Sequence, residues 1–578
     1  MKANRNRVAQ VMVIVFLFAW AFMTGISERA DNAAAEDAAT PVRRVNVPYT
    51  SETSPNIPIA EGAIFWFGDV TPEKNYADVR TIYNAESLVV AVHIFDKHLY
   101  YEKPPSAENM TVWDSVTFHL NLDGAVGNSP SSNSHQFVAQ LNHREPRPLY
   151  ESAYQGGGGS WVSTATPFST ETGWRGSGIN NGAQARGWRV VFTIPFSSLG
   201  IDSAPSPGDI WGLGLVVHDR DNDVGTPIGD QLWPESMDGN QPSTWGELHF
   251  GIPDYISPAE SPDTEISIVH GVNGAIVVDG HVGGRPTCGS TVAPNYFALW
   301  GDENYSGDHQ INIQNQWDVA DWPCFSKYFV TFPLNAIPAG QEIISATLTM
   351  SHFGNALPEE AQPSLIQVLR VAEPWNEDSI TWNNAPLALE NFGGTWVNPR
   401  PPRSSEPATI LWDVSQAVAE AIESDSELRL ALYSADAAQH SGKYFYTSEA
   451  LDPNRRPTLR VLVGEKPLAS ISPAIAWIQP GDTATYSVQV NQGGGSTSPV
   501  TLTVTNPDPS NLSINLPSPV TPPTQISLQV TSLHDEALIP ARHYQLPLTI
   551  SSSTESVELN VSLYVGGARL YLPLTRTD

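Results

Sequence analysis

In the segment "HDRDNDVG", Asp219, Asp221 and Asp223 stand two residues apart. Three carboxylates on one short turn repel one another unless a cation sits among them, and calcium takes such oxygen ligands. The spacing departs from an EF-hand loop: Gly225 comes one place late, and no Glu closes the ring. Two readings follow, a calcium site and a solvated acidic turn partly offset by Arg220. A second chemistry belongs to the tryptophans. A flat indole covers the apolar C–H face of a pyranose ring, while short polar side chains meet its hydroxyls. Trp66, Trp113, Trp161, Trp174, Trp233 and Trp245 are candidates for such platforms. Trp188, Trp211 and Trp245 sit inside strand patterns and read as core. Trp113, Trp161, Trp174 and Trp233 lie near stretches rich in Gly, Pro or acids, and are the expected carbohydrate-binding set.

These side chains must be positioned by strands. In "SVTFHLNLDG", Val116, Phe118, Leu120 and Leu122 share one face, and Thr117, His119 and Asn121 take the other. "SLVVAVHIFD" carries Leu88, Val90, Val92 and Ile94 in line with Val89, Ala91 and Phe95 opposite, so both faces of that strand are expected to be covered. Many short alternating runs punctuated by 48 prolines and 43 glycines predict an all-β chain of three consecutive sandwiches. One segment, "DVSQAVAEAIES", lines up Val414, Val418, Ala421 and Ile422 at helical spacing, with Asp413 or Ser415 as the cap.

The chain has 578 residues and a formal net charge of -31. With no basic footprint, nucleic acid is excluded as the expected partner. Only 16% of residues are charged, so the polar surface is built from Ser, Thr, Asn and Gln, which suit neutral hydrogen-bonding ligands. Residues 1–35 read as a signal peptide and linker: a basic head, the uncharged run "VAQVMVIVFLFAWAFMTG" and a small-residue exit. An uncleaved N-terminal anchor is the other reading, and no other membrane contact is expected. Export would allow Cys288 and Cys324 to pair, stabilising the fold by roughly 4 kcal/mol on the chain-entropy model. Two free buried thiols are the alternative.

Pro-rich polar stretches at 251–265 and 464–473 separate the units, which read as beads with limited play. The first, 45–252, resembles the family 9 carbohydrate-binding modules and the related DOMON-like sandwiches. The match rests on "YADVRTIYNAESLVVAVHIFD", "VWDSVTFHLNLDG", "GWRVVFTIPFSSLGI", "PGDIWGLGLVVHDRDND" and "STWGELHFG". The resemblance implies a sandwich that holds saccharide units, often with bound calcium. DOMON relatives that bind haem use Met and His ligands, and no dedicated Met–His pair is evident here, so no haem is expected.

The second unit, 266–465, resembles the DNRLRE domain, which overlaps family 96 of the carbohydrate-binding modules. The residues are "DENYSGDHQINI", "KYFVTFPLNAIPAGQEIISATLTM", "VAEPWNEDSITWNNAP", "LWDVSQAVAEAI" and "YFYTSEALDPNRRPTLRVLV". On that resemblance Trp375 and Trp382 are mainly structural. The third unit, 467–578, resembles bacterial immunoglobulin-like domains through "PGDTATYSVQV". Its tail "ARLYLPLTRTD" resembles a sorting tag for attachment at the cell surface, or closes the sandwich as a last strand.

No HExxH, GxSxG or phosphate-binding loop is present, so neither an enzyme nor a nucleotide site is expected. The expected function is a secreted, non-catalytic polysaccharide-binding protein. Its rivals are a scaffold or adhesin that binds no sugar, and an accessory or catalytic component of polysaccharide degradation.

Overall fold

The computed structural model describes residues 41–142, 146–224, 227–258, 264–284, 295–401, 404, 406–437, 441–465, 468–491, 498–535, 541–552 and 556–566. The expected leader, Gly225, Cys288 and the tail from 567 lie outside the described residues. No helix among the described residues is long and apolar enough to cross a membrane.

The chain is all-β, and its six sheets come as three sequence-consecutive pairs. The first pair holds thirteen strands: β1 (Arg44–Val47), β2 (Ala63–Thr71), β3 (Lys74–Tyr83), β4 (Ser87–Phe95), β5 (Ser115–Asn121), β6 (Ser134–Gln140), β7 (Glu151–Gly157), β8 (Ser160–Thr164), β9 (Ser169–Gly176), β10 (Ala185–Pro195), β11 (Ile210–Asp219), β12 (Ile228–Trp233) and β13 (Gly246–Phe250). The larger sheet runs β1-β13-β11-β5-β6-β7-β8, with β12 also paired to β11, and the smaller runs β2-β3-β4-β10-β9. The period of two explains the layering. Val116, Phe118 and Leu120 point inward with Leu213, Leu215, Phe137 and Phe192, all buried. Each such side chain contributes about 1.5–3 kcal/mol on burial. Thr117 and His119 consequently face the other side of the sheet.

The second pair has one sheet of six strands and one of five. The five-stranded sheet uses Val278–Gly283, Ser326–Phe332, Leu428–Ser434, Ser364–Val371 and Ala388–Val397. The predicted helix spans Ser415–Glu423, and Asp413 Oδ1 accepts from the backbone N of Ser415 at 2.9 Å. The third pair, two four-stranded sheets, has its own core around Tyr486, Leu528, Leu546 and Leu563.

The expectation of beads gives way at the first joint. One continuous core runs from the first sandwich into the five-stranded sheet of the second. The cause is the outer face of the β2-β3-β4-β10-β9 sheet, which is aromatic and apolar over much of its area. Trp66 meets Phe329 and Tyr433 edge-on, and Phe95 stacks on Trp322 at 5.2 Å. Tyr76 lies 4.9 Å from Trp382. Leaving these rings in water would forfeit their transfer free energy, so the second sandwich lands on them.

Candidate functional site

Charges are also sealed into that seam. Lys327 Nζ lies 3.8 Å from the ring centroid of Trp382, 4.3 Å from Trp66 and 4.8 Å from Tyr76. It donates to Tyr76 Oη at 2.9 Å, and that hydroxyl donates to Asp78 Oδ1 at 2.8 Å. Asp78 Oδ2 accepts from Tyr433 Oη and Asn315 Nδ2. Arg80 donates to the carbonyl of Ala435 and to Asn315 Oδ1. Burial holds the Lys327 ammonium well below the usual lysine range. This cage is a structural joint: its cation is consumed by rings of the same chain.

The outer face of the larger sheet differs. Register aligns Gly214, His119, Gln136, Tyr154 and Ser163 in one row across β11, β5, β6, β7 and β8. Thr117 Oγ1 meets His218 Nε2 at 2.8 Å, and His218 Nδ1 meets Asp230 Oδ1 at 2.9 Å. At one end Trp161 stacks parallel to Trp245 at 6.4 Å, with His119 5.7 Å from Trp161. Trp161 Nε1 donates to the carbonyl of Gly239 at 3.2 Å, and Trp245 Nε1 to that of Asp238 at 2.8 Å. The segment 234–245 thereby lies on the sheet, and Gly214 makes room: a Cβ there would meet Met237 Cε at 2.8 Å. Trp245 is buried and Trp161 half-buried, while Gln136 and Tyr154 keep solvent access. Burial lowers His119 to about 3, aided by His218, so its imidazole is neutral at physiological pH. The face presents a ring beside the neutral Gln136, Tyr154 and Ser163, with the Asp230 carboxylate farther along it.

The four expected tryptophans are not brought together. Trp161 lies on this face. Trp113 precedes β5, half-buried, with the Arg220 guanidinium 4.5 Å above its ring. Trp174 is paired in register with the buried Trp188 and packs against the core from the edge of the smaller sheet. Trp233 is a correction. It is 1% exposed and lies 4.5 Å from Phe65. Its β12 register partner is Leu215, a core residue, so alternation turns the indole inward.

The acidic turn is also revised. Asp219 and Asp221 gather with Asp96, one oxygen of each within 4.8 Å of the others, whereas Asp223 is exposed and outside the group. Asp96 directly follows β4, in "VHIFD", which placed it beyond the spacing pattern of the turn. Asp96 Oδ2 and Asp219 Oδ1 are buried without a hydrogen-bond partner. Burial, then Asp114, Asp219 and Asp221, pushes the Asp96 carboxyl well up; burial and Asp221 push Asp219 up to about 7. Asp114 is satisfied by the backbone N of Tyr100 and of Arg220. Orphaned oxygens at this spacing fit an oxygen-seeking divalent cation. Cys324 is disulfide-bonded; Cys288, the other cysteine of the chain, is not among the described residues.

Residues 298–462 match the model for carbohydrate-binding module family 96. Among solved structures, the chain is similar to a family 9 carbohydrate-binding module from Caldicellulosiruptor kristjanssonii in complex with cellotriose, at 17% identity. That match covers 38% of this chain and 100% of that one, with a TM-score of 0.27. It is also similar to a putative carbohydrate-binding protein from Bacteroides uniformis, at 13% identity, covering 36% of this chain and 99% of that one, with a TM-score of 0.27. Comparison with curated proteins returns no match.

Proposed function

We propose that the protein is a secreted, non-catalytic polysaccharide-binding protein whose first sandwich holds sugar on the outer face of its larger sheet. The observation that carries this reading is the half-buried Trp161 beside the uncharged, solvent-accessible row Gln136, Tyr154 and Ser163. The indole supplies a stacking surface for ring C–H groups, and the row supplies edge hydrogen bonds. The family 96 match in the second sandwich supports the same ligand class. Calcium held by Asp96, Asp219 and Asp221 would brace the strand ends beside Trp113, a structural rather than a chemical role. The test is binding of the full chain to a panel of soluble and insoluble glycans. Saturable binding that falls on Trp161→Ala supports the reading. Failure to retain any glycan favours a scaffold without sugar binding, and release of shortened products would make it an enzyme.

A further inference from the structure

The second sandwich does not cover all of the smaller sheet. Beyond its edge a cavity of about 420 Å³ opens, within the range of about 300–1,000 Å³ common for small-ligand sites. Its floor is the sheet itself, with Val89 on β4, Val191 and Thr193 on β10, and Glu171 on β9. Ile57 closes one side, and Trp317 from the second sandwich forms a wall. The indole is seated on groups of the same sheet face: the Arg189 guanidinium, its Cζ 4.5 Å from the ring centroid, and the His93 ring edge-on at 4.6 Å. Arg189 and His93 are register partners on adjacent strands, so they approach the ring from one side. Trp317 remains half-buried, not sealed.

We propose that this seam cavity is a second saccharide subsite, able to form only when the two sandwiches are docked. The proposal rests on the polysaccharide reading above and adds to it a place and a requirement. The chemistry that selects a sugar ring is the pairing on one wall set of an accessible indole and aliphatic Val89 and Val191, which suit C–H faces, with Thr193 and Glu171, which suit hydroxyls. Neither Thr193 nor Glu171 uses its side-chain oxygens in a hydrogen bond with another described residue. A carboxylate in the cavity of a chain with net charge -31 disfavours an anionic occupant.

The test is calorimetric titration of the full chain with cellotriose, xylotriose, mannotriose and maltotriose. Wild-type protein is expected to take two equivalents of at least one trisaccharide. Trp161→Ala and Trp317→Ala should each leave one, and the double variant none. Because Trp317→Ala removes a seam contact, Glu171→Ala and Thr193→Val provide variants on the sheet side, each expected to weaken the second equivalent about tenfold with an unchanged melting temperature. One equivalent in the wild type, lost in Trp161→Ala and untouched by the three seam variants, overturns the seam site and leaves the general reading standing. No heat with any trisaccharide, joined to no retention on the glycan panel, overturns both.

Discussion

The two outer faces of the first sandwich share a vocabulary and end in opposite states. Each carries indoles, tyrosines, histidines and ionisable groups. On the smaller sheet Trp66, Tyr76, Asp78 and Arg80 are sealed under the second sandwich. On the larger sheet Trp161, Gln136 and Tyr154 keep solvent access, with Trp161 tied to the 234–245 segment. The difference lies in the surroundings of the rings. Where Val89, Ala91 and Phe95 flank the aromatics, another layer covers the face and also supplies Asn315 and Tyr433 as partners for its charged Asp78 and Arg80. Where Gln136, Tyr154 and Ser163 line the face, it stays polar and keeps its water.

The largest effect should come from breaking the sealed face. Trp382→Ala opens a cavity in the shared core, and a loss of about 3–5 kcal/mol is expected in denaturant unfolding. A loss under 1 kcal/mol would mean that the sandwiches are beads after all. Next is the calcium proposed between the ends of β4 and β11. Calcium at a hundredfold its dissociation constant should stabilise the fold by about 2.7 kcal/mol over chelator, and Asp96→Asn should abolish the increment. Superimposable melts with calcium and with chelator would remove the metal.

His119 sharpens the comparison through pH. Its folded pKa, about 3, lies below the unfolded value of about 6.5. The unfolded state therefore binds the extra proton between those values, and stability falls as pH drops below about 6.5. At pH 5 its share of the loss is about 2 kcal/mol. Burial lowers His93, His135 and His352 as well, so His119→Gln should make that part of the stability profile shallower by its own share, and an unchanged slope would show that the imidazole is not buried. The smallest expected change in stability belongs to the binding face. Trp161→Ala should abolish glycan binding at the open face with little change in melting temperature, whereas Trp174→Ala should leave affinity alone. Equal effects of the two would erase the distinction between open face and core edge.

Much of the fold was legible because alternation is a local property. The strand Ser115–Asn121, the helix Ser415–Glu423 and the double-sided burial of Ser87–Phe95 all follow from residues within reach of one another along the chain. The candidate sites were legible only in fragments. Asp219 and Asp221 announce themselves by spacing, but Asp96 joins them from another strand, more than a hundred residues earlier. Trp233 stands beside Pro234 like a loop residue, and its inward direction is set by pairing with Leu215. Trp317 carried no local signal at all, because the sheet it rests on belongs to the other sandwich.

By itself the sequence determined an all-β chain, an acidic surface poor in charge and the aromatic supply for stacking, since side-chain periodicity and composition need no partner to be read. Tertiary structure alone decided which rings meet water, which carboxylates share a centre and which two sandwiches become one body. Those outcomes depend on register and on layers meeting across long loops, and burial of an aromatic face is settled by whatever apolar surface arrives to cover it.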